Sequence, residues 1–215
     1  MASPPGQRLL RFDRRLGVRF VAGADEAGRG SLAGPLVVAG VLLDHEALRG
    51  HRVRALARLN DSKQVAEADR EELFHAVLAC AAQVSIRVIS PRDVDRDGLH
   101  RSNLWGLRSV LDDLGRADVR LVDGFLLGPL ALAHRAVVDG DTKSAAIAAA
   151  SIVAKVTRDR LMRRLDALYP QYGFSSHVGY ITPAHSAAVR RHGPSDLHRR
   201  SFAARCYGDA PPVAA

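Results

Sequence analysis

The sequence has few cysteines and few aromatic residues. Its two cysteines, Cys80 and Cys206, lie far apart and lack the spacing of metal ligands. They exclude a disulfide framework and favour a reduced, cytoplasmic protein. Aromatic residues make up 5% of the chain, which argues against a base-stacking platform for single-stranded nucleic acid.

Long hydrophobic runs and an excess of acid are also missing. The longest apolar run, 32–43, is interrupted by Gly34, Pro35 and Gly40 and is too short to span a bilayer. The first fifteen residues are basic and have no apolar core of signal-peptide length. We therefore expect a soluble protein with no membrane partner. The formal net charge of +8 indicates an anionic partner, with nucleic acid as the first candidate.

A chain of 215 residues suits one domain, or one domain with a modest C-terminal appendage. We predict a flexible basic arm over 1–15, a folded domain over 16–207 that includes C-terminal helices, and a disordered tail over 208–215. We expect the protein to be a monomer.

Hydrophobic periodicity predicts an α/β fold. Apolar, β-branched segments predict five strands, at 17–24, 36–43, 84–89, 119–122 and 136–138. Helical spacing of apolar residues predicts helices at 67–83, 102–114, 144–168, 183–192 and 196–207. Three locally joined strands followed by alternating strands and helices give a mixed five-stranded sheet flanked by helices, with a C-terminal helical extension. Trp105 is predicted to be a core residue.

Carboxylates stand at the ends of three predicted strands. They are Asp25 and Glu26, Asp123, and Asp141. In an open α/β sheet, ligands bind outside the carboxyl ends of the strands. Acids brought together there repel one another unless a cation lies between them. Oxygen ligands with no nearby cysteine suit Mg²⁺ or Mn²⁺, and two such ions form the clamp used to cleave phosphodiesters.

Each acid also has a plainer interpretation. Asp123 with Gly124 is a common turn signal, and Asp141 suits the cap of the helix that follows. Asp139 competes with Asp141 because both flank Gly140. Adjacent strand residues point to opposite faces, so Asp25 and Glu26 share a site only where the strand breaks.

A glycine-rich segment follows the first pair of acids. Gly28 and Gly30 permit a positive φ and close approach of a ligand to the backbone, and Arg29 stands between them. These residues indicate a phosphate site beside the metal site, or alternatively a charged turn at the surface.

The sequence resembles the bacterial ribonuclease HII family, the type 2 ribonucleases H. The matching motifs occur in the family's order between about residues 20 and 203. They are 24–35, 59–63, 122–124, 140–141, 147–159, 169–174 with His177, 179–180 and 198–202.

The resemblance implies a ribonuclease H-like fold. It also implies a metal-dependent endonuclease that hydrolyses the RNA strand of RNA–DNA hybrids and incises 5′ of single ribonucleotides in duplex DNA. By the same resemblance, two Mn²⁺ or Mg²⁺ ions are held by the four carboxylates Asp25, Glu26, Asp123 and Asp141, which decides against Asp139.

The resemblance also implies the substrate contacts. The backbone of Gly28, Arg29 and Gly30 contacts the ribose 2′-OH, the group that distinguishes RNA from DNA. Tyr180 stacks on the sugar of the following deoxynucleotide, and Lys63 contacts a backbone phosphate.

Two positions depart from the family pattern. Asp139 and Val178 stand where the family usually has lysine, which removes positive charge and puts phosphate contacts there in doubt.

Two other functions are consistent with the sequence: a non-catalytic, basic nucleic-acid-binding module, and a nuclease of the same fold that acts on DNA alone.

Several motif residues have structural roles as alternatives to functional ones. His177 is expected to pack or form hydrogen bonds rather than act as a general acid. Arg158, with Lys155 and Asp159 on the same helix, is expected to give structural support, with a surface ion pair as the alternative. The segment from His198 to Arg200 is expected to belong to the basic face that binds the duplex.

Overall fold

The structure is a computed structural model that describes residues 4–129 and 131–208. Its centre is a five-stranded sheet with the strand order β3-β2-β1-β4-β5. The strands are β1 (Phe20–Ala27), β2 (Leu36–Asp44), β3 (Gln83–Ile89), β4 (Val119–Asp123) and β5 (Arg135–Val137). The prediction of a mixed five-stranded sheet flanked by helices is confirmed.

Strands β1, β4 and β5 are parallel neighbours. Val21 pairs with Val119 and Ala24 with Val122, and in the next ladder Asp123 pairs with Val137. The carboxyl ends of these three strands therefore lie at one edge of the sheet. The first strand starts later than predicted and continues through Asp25 and Glu26 to Ala27.

The helices confirm the longer periodic segments of the sequence. Helix α8 has the predicted bounds, and α3, α5 and α6 differ from prediction by a few residues at their ends. The helices are α1 (Pro5–Arg14), α2 (His51–Ala55), α3 (Glu67–Cys80), α4 (Pro91–Asp97), α5 (Leu99–Asp113), α6 (Ala145–Asp166), α7 (Phe174–His177), α8 (Pro183–His192) and α9 (Arg205–Gly208). Short 3₁₀ turns lie at Gly140–Thr142 and Pro170–Tyr172.

The predicted helix at 196–207 is mostly wrong, since only its end is helical. The backbone of 197–199 instead bonds to the segment after Gly30. Gly34 N donates to Leu197 O (2.8 Å), and Arg199 N donates to Leu32 O (2.9 Å). These groups are thereby withdrawn from an i to i+4 ladder.

The predicted flexible arm is wrong for residues 5–14, which form helix α1. Proline at its first position suits a helix start because that N–H has no helical partner. Leu9 and Leu10 are buried on one face. Gly6 N donates to Ala57 O (3.0 Å), so the helix is tied to the fold. The number of basic residues on its other face hid this pattern in the sequence.

Asp13 is the buried polar anchor of helix α1. Its Oδ2 accepts from Ala146 N at the start of α6 (2.9 Å), and burial raises the pKa of this carboxyl to about 7. The unfolded chain releases this proton near 3.8. Between these values the folded state binds more protons, so this group's contribution to stability falls as pH rises.

The raised pKa of Asp13 predicts that the difference in free energy of unfolding between wild type and Asp13→Asn depends on pH. With about 1.4 kcal/mol per pKa unit, the wild-type free energy of unfolding relative to the variant is expected to fall by about 4 kcal/mol from about pH 4 to about pH 8. Making both proteins in a His45→Gln background removes the opposite contribution of His45, whose Nε2 lies 3.8 Å from Asp13 Oδ2 and whose pKa burial lowers to about 4. Urea unfolding at several pH values measures it, and a difference independent of pH would disprove the buried titration.

The chain divides into two compact units. The first contains residues up to Ala27, 38–87 and 104–156, and the second contains 28–37, 88–103 and the described residues from 157 onward. In the first unit, the β2 residues from Val38 to Asp44 are all buried. In the second, a core of Leu32, Ala33, Met162, Tyr172, Phe174, Val189 and Cys206 is buried.

Two further expectations are settled by burial or fall outside the described residues. Trp105 is 57% exposed on α5, so the prediction of a core tryptophan is wrong. Gly208 ends helix α9, and the rest of the predicted tail, 209–215, lies outside the described residues. Among the helices that the structure describes, none is long and apolar enough to cross a membrane.

Candidate active site

Asp25 and Asp123 lie on neighbouring parallel strands in the first unit. The last paired positions of the two strands are Ala24 and Val122, so the two acids follow one step further along the same register. Asp25 is 7% exposed, and its Oδ1 accepts from Glu26 N (2.7 Å). The sheet thus brings together carboxylates that are about a hundred residues apart in sequence.

Asp141 lies in the 3₁₀ turn that follows β5. The turn is attached to β4 because Gly140 N donates to Asp123 Oδ1 (2.6 Å). Asp141 is buried, whereas Asp139 is exposed and has a left-handed backbone with φ of 51°. The structure therefore places Asp141, of the two competing acids, in the buried group.

The electrostatics of these acids fit a cation site. Burial raises the pKa of Asp25 well above its usual value, and the charges of Glu26 and Asp123 add to the effect. Burial also raises the pKa of Asp123. It raises that of Asp141 to about 6, with help from the charges of Asp61 and Asp123. A divalent cation would remove this repulsion, and an all-oxygen donor set suits Mg²⁺ or Mn²⁺.

Glu26 is adjacent to Asp25 on a strand, and adjacent strand residues point to opposite faces of the sheet. The strand does not break between Asp25 and Glu26, since β1 runs to Ala27, so the two side chains leave opposite faces. Within 4–129 and 131–208, no three Asp, Glu, His or Cys side chains already form a metal-binding group. The four-carboxylate ligand set remains a prediction.

Lys63 and Asp61 extend the site beyond the predicted acids. The positive charge of Lys63 lowers the pKa of both Asp123 and Asp141, which places the lysine within electrostatic reach of them. Asp61 is hydrogen-bonded to Asp141 and raises its pKa. Sequence reasoning did not select Asp61, although it lies in the same motif as Lys63.

Two buried serines support Asp25. Ser151 of α6 is hydrogen-bonded to the Asp25 side chain, and its hydroxyl shares a second hydrogen bond with that of Ser62 (2.9 Å). Arg70 fixes the Ser62 segment by donating from Nη1 to Ser62 O (3.0 Å) and to Val65 O (2.6 Å). The motif around Lys63 is therefore part of the support of the acids.

The glycine-rich segment begins the second unit. Gly28 has a φ of 89°, and its carbonyl accepts from Ser31 N (3.2 Å), which closes a turn. A Cβ at Gly28 would overlap the Nε atom of Arg158, whereas a Cβ at Gly30 would have nothing within 4 Å. The two glycines thus have different roles: the first is needed for the fold of the loop, and the second leaves open space beside the backbone.

Two fully buried arginines hold this loop by its carbonyl groups. Arg158 donates to Pro35 O (3.0 Å), Ala33 O (3.0 Å) and Val178 O (2.8 Å). Arg199 donates to Gly34 O from Nε (3.1 Å) and Nη2 (2.9 Å), and from Nη1 to Arg29 O (3.1 Å). The structural role predicted for Arg158 is confirmed.

The expectation that His198 and Arg199 belong to a basic binding face is wrong, because both are buried. Burial lowers the pKa of Arg199 to about 10. Its positive charge is used to organise backbone inside the second unit and is not available to solvent.

Tyr180 is held through a chain of neutral histidines. Ser195 N donates to His198 Nδ1 (3.0 Å), so the His198 proton is on Nε2 and is donated to His185 Nε2 (3.1 Å). His185 then donates from Nδ1 to Tyr180 O (2.9 Å). Burial lowers the pKa of His185 to about 4 and of His198 to about 3. The Tyr180 side chain is 37% exposed, and its ring lies 5.6 Å from Arg158 Cζ.

His177 has the hydrogen-bonding role that was expected. Gly179 N donates to its Nδ1 (3.2 Å), and its Nε2 donates to Tyr172 O (2.9 Å). Both ring nitrogens are therefore used within the second unit, and the residue is buried.

Comparison with known proteins decides the family. A family model described as Ribonuclease HII matches residues 22–205. The chain belongs to the ribonuclease HII family. It accordingly has the ribonuclease H endonuclease activity of that family, which acts on RNA–DNA substrates and depends on divalent metal.

Individual members of the ribonuclease HII family and its structural neighbours agree. The ribonuclease HII of Parafrankia sp. (strain EAN1pec) is 49% identical over 201 residues, which are 90% of this chain and 80% of that protein. The structure of the PCNA:RNase HII complex from Archaeoglobus fulgidus matches with a TM-score of 0.72 and 26% identity, over 86% of this chain and 96% of that one. Bst-RNase HIII in complex with Mn²⁺ matches with a TM-score of 0.69 and 20% identity, over 92% of this chain and 71% of that one. This last likeness shows the fold alone.

The two departures from the ribonuclease HII pattern share a backbone feature. Asp139 and Val178 are the only non-glycine residues with positive φ among the described residues, at 51° and 44°. Aspartate tolerates this region, whereas a β-branched valine is strained there. Val178 O accepts from buried Arg158 (2.8 Å), which helps hold the valine in this conformation.

Proposed function

We propose that this ribonuclease HII incises duplex DNA on the 5′ side of single embedded ribonucleotides and hydrolyses the RNA strand of RNA–DNA hybrids, leaving a 3′-OH and a 5′-phosphate. One observation carries the proposal. Asp25, Asp123 and Asp141 are gathered at one edge of the sheet, burial raises the pKa of each, and the charge of Asp123 adds to the effect on Asp25 and on Asp141. Such a group is suited to divalent cations and to the phosphodiester chemistry they support.

The ions would be held by Asp25, Asp123 and Asp141 and by Glu26, whose charge already acts on Asp25 although β1 is unbroken between the two residues. When bound, two divalent ions would activate the attacking water and stabilise the leaving oxygen. Mg²⁺ and Mn²⁺ both fit the oxygen donors, and the ribonuclease HIII of the same fold was solved with Mn²⁺. The support from Ser151 and Ser62 keeps the Asp25 carboxylate in place.

Lys63 offsets part of the negative charge of the site. Its charge already lowers the pKa of Asp123 and Asp141, and the side chain is exposed. We assign it to a phosphate of the substrate backbone. The exposed carboxylate of Asp139 adds negative charge near Asp123, which weakens phosphate binding relative to the lysine that is usual at this position.

Recognition of the ribose is assigned to the backbone of Gly28, Arg29 and Gly30. The carbonyl of Arg29 is fixed by Arg199, and no side chain occupies the space beside Gly30. A rigid backbone segment that a sugar can approach suits a hydrogen bond to the 2′-OH, the group that distinguishes RNA from DNA. Tyr180, held by His185, is assigned to the sugar of the following deoxynucleotide.

The test compares wild type with Asp123→Asn on a duplex that contains one ribonucleotide, in Mg²⁺. The rate of cleavage is expected to fall by at least about a hundredfold, because the variant loses a charged oxygen ligand for the divalent ions. Asp112→Asn is the matched control: it makes the same chemical change on the exposed face of α5 and is expected to leave the rate unchanged. Equal rates for wild type and Asp123→Asn would refute the mechanism.

Membership of the ribonuclease HII family excludes a non-catalytic binding module, and the geometry agrees. Buried carboxylates without a cation repel phosphate, and a binding surface gains nothing from them. Divalent-dependent cleavage by the wild-type protein tests this directly. Failure to cleave an all-DNA duplex would eliminate the nuclease that acts on DNA alone.

A further inference from the structure

A basic cleft lies beside helix α1 in the first unit. Its volume is about 520 Å³, and it is lined by Arg8, Arg11, Phe12, Arg15, Thr142 and Lys143. The lining thus has four cationic side chains and no carboxylate. None of the roles assigned above uses this cleft.

The charges of the cleft lack the partners that other arginines have. Arg19, Arg58 and Arg96 each pair with carboxylates. In the described part of the chain, no carboxylate lies within salt-bridge distance of any cation of the cleft, and the four side chains are exposed. Like charges held together in this way favour an anionic ligand.

The fold holds the cleft in place. Arg8, Arg11 and Arg15 are spaced i, i+3 and i+7, so they project from one face of the helix. The opposite face is buried through Leu9 and Leu10. Lys143 is restrained because its Nζ donates to Val138 O (2.6 Å).

The other wall of the cleft continues from the proposed metal site. Thr142 and Lys143 directly follow Asp141 in the chain, and Thr142 N and Lys143 N donate to Asp139 O and Gly140 O (3.1 and 3.0 Å). A phosphate backbone that passes the acids is a chain of anions, and duplex DNA has one negative charge per about 1.7 Å of its axis. The row of arginines matches this repeated charge better than it matches a single ion.

Resting on the function proposed above, we propose that this cleft binds the phosphodiester backbone of the substrate duplex, away from the cleaved bond. A free polyphosphate offers the same chemistry and is the other source of such an anion. The cleft adds affinity for any duplex and reads no sequence or sugar, because phosphate contacts carry no such information.

The experiment measures binding of a fluorescent duplex with one ribonucleotide by full-length protein in EDTA, over a range of salt concentrations. The Arg8→Gln/Arg11→Gln variant is expected to bind about tenfold more weakly at about 0.1 M salt, with the slope of log K against log salt reduced by about 1.8, since each lost phosphate contact removes about 0.9. The variant is expected to lose affinity for an all-DNA duplex by the same factor as for the duplex with one ribonucleotide. Tripolyphosphate, at equal phosphate concentration, is expected not to displace the duplex.

Arg49→Gln/Arg54→Gln is the matched control. It removes the same charge from two exposed arginines of the first unit that do not line the cleft, and it is expected to keep most of the wild-type slope. If the first double variant fails to fold, Arg15→Gln repeats the test with an expected slope change of about 0.9. Equal slopes for the cleft and control variants, or displacement of the duplex by tripolyphosphate, would overturn the proposal.

Failure of this proposal is distinct from failure of the proposed function. The binding measurement contains no divalent ion and requires no cleavage. Wild-type cleavage at the ribonucleotide in Mg²⁺, measured beside it, reports on the function alone.

Discussion

Replacing Asp25 by asparagine is expected to stabilise the metal-free protein while lowering the cleavage rate by at least about a hundredfold. Asp25 is buried, and Glu26 and Asp123 oppose its ionisation. Its pKa is raised in the folded state, so the folded protein loses stability as pH rises above the unfolded value of 3.8. The variant removes this cost, and its advantage in stability therefore grows with pH.

Thermal unfolding with and without Mg²⁺ or Mn²⁺ measures the stability of wild type and of Asp25→Asn in the metal-free and metal-bound states. Wild type is expected to gain stability when the ion is added, because the ion binds the folded state only, and the variant is expected to gain less. Asp112→Asn again controls for the loss of a carboxylate. Reduced stability of metal-free Asp25→Asn at neutral pH, or equal stabilisation of both proteins by the ion, would show that the acids do not form the cation site.

Replacing Gly28 by alanine is expected to damage both the fold of the second unit and activity. A side chain at a φ of 89° costs about 1–3 kcal/mol. The new Cβ would also overlap Arg158, whose hydrogen bonds to Ala33 O, Pro35 O and Val178 O would be disturbed. A hydrogen bond to a charged group contributes about 1.5–3 kcal/mol, so a total loss of about 3 kcal/mol or more is expected.

Gly30→Ala provides the matched comparison within the same motif. Its Cβ would meet no atom within 4 Å and its φ is not positive, so the free energy of unfolding is expected to change by less than about 0.5 kcal/mol. Cleavage at a single ribonucleotide is nevertheless expected to fall, because the methyl group occupies the approach to the backbone. Urea unfolding and cleavage rates separate the two effects. A stable Gly28→Ala protein, or a fully active Gly30→Ala protein, would contradict the roles assigned to the two glycines.

Much of the fold could be predicted because the pattern of apolar residues is strong. Helix α8, between Thr182 and Gly193, has clear start and stop signals: the Thr182 side chain accepts from His185 N, and the helix ends before glycine. The five strands of the sheet could be predicted because each is a short apolar segment of the sequence. Helix α1 was missed because three exposed arginines obscured the buried pair Leu9 and Leu10.

The candidate site was predictable only in part. Acids at strand ends are a local signal, because parallel strands bring their carboxyl ends together, and Asp25, Asp123 and Asp141 were proposed as site residues from this signal. Asp61 lies in a loop, and nothing in its neighbours indicates that it contacts Asp141. Its position depends on the packing of that loop, which local pattern does not determine.

Buried charge was the hardest feature to predict. Arginine is almost never fully buried unless its donors are satisfied, so Arg199 was expected on the surface. The structure satisfies it with carbonyl oxygens of Gly34 and Arg29, which are about 165 residues away in sequence. Trp105 shows the converse error, because a large apolar side chain at a helical position was expected inside and is 57% exposed.

The most direct test of the account maps the cut in a duplex that contains one ribonucleotide, to the nucleotide, in Mg²⁺ and in Mn²⁺, beside an all-DNA duplex of the same sequence. We expect one cut, on the 5′ side of the ribonucleotide, with 3′-OH and 5′-phosphate ends, no cut in the all-DNA duplex and no cut in EDTA. Cleavage of the all-DNA duplex at a similar rate, or a product ending in a 2′,3′-cyclic phosphate, would contradict it.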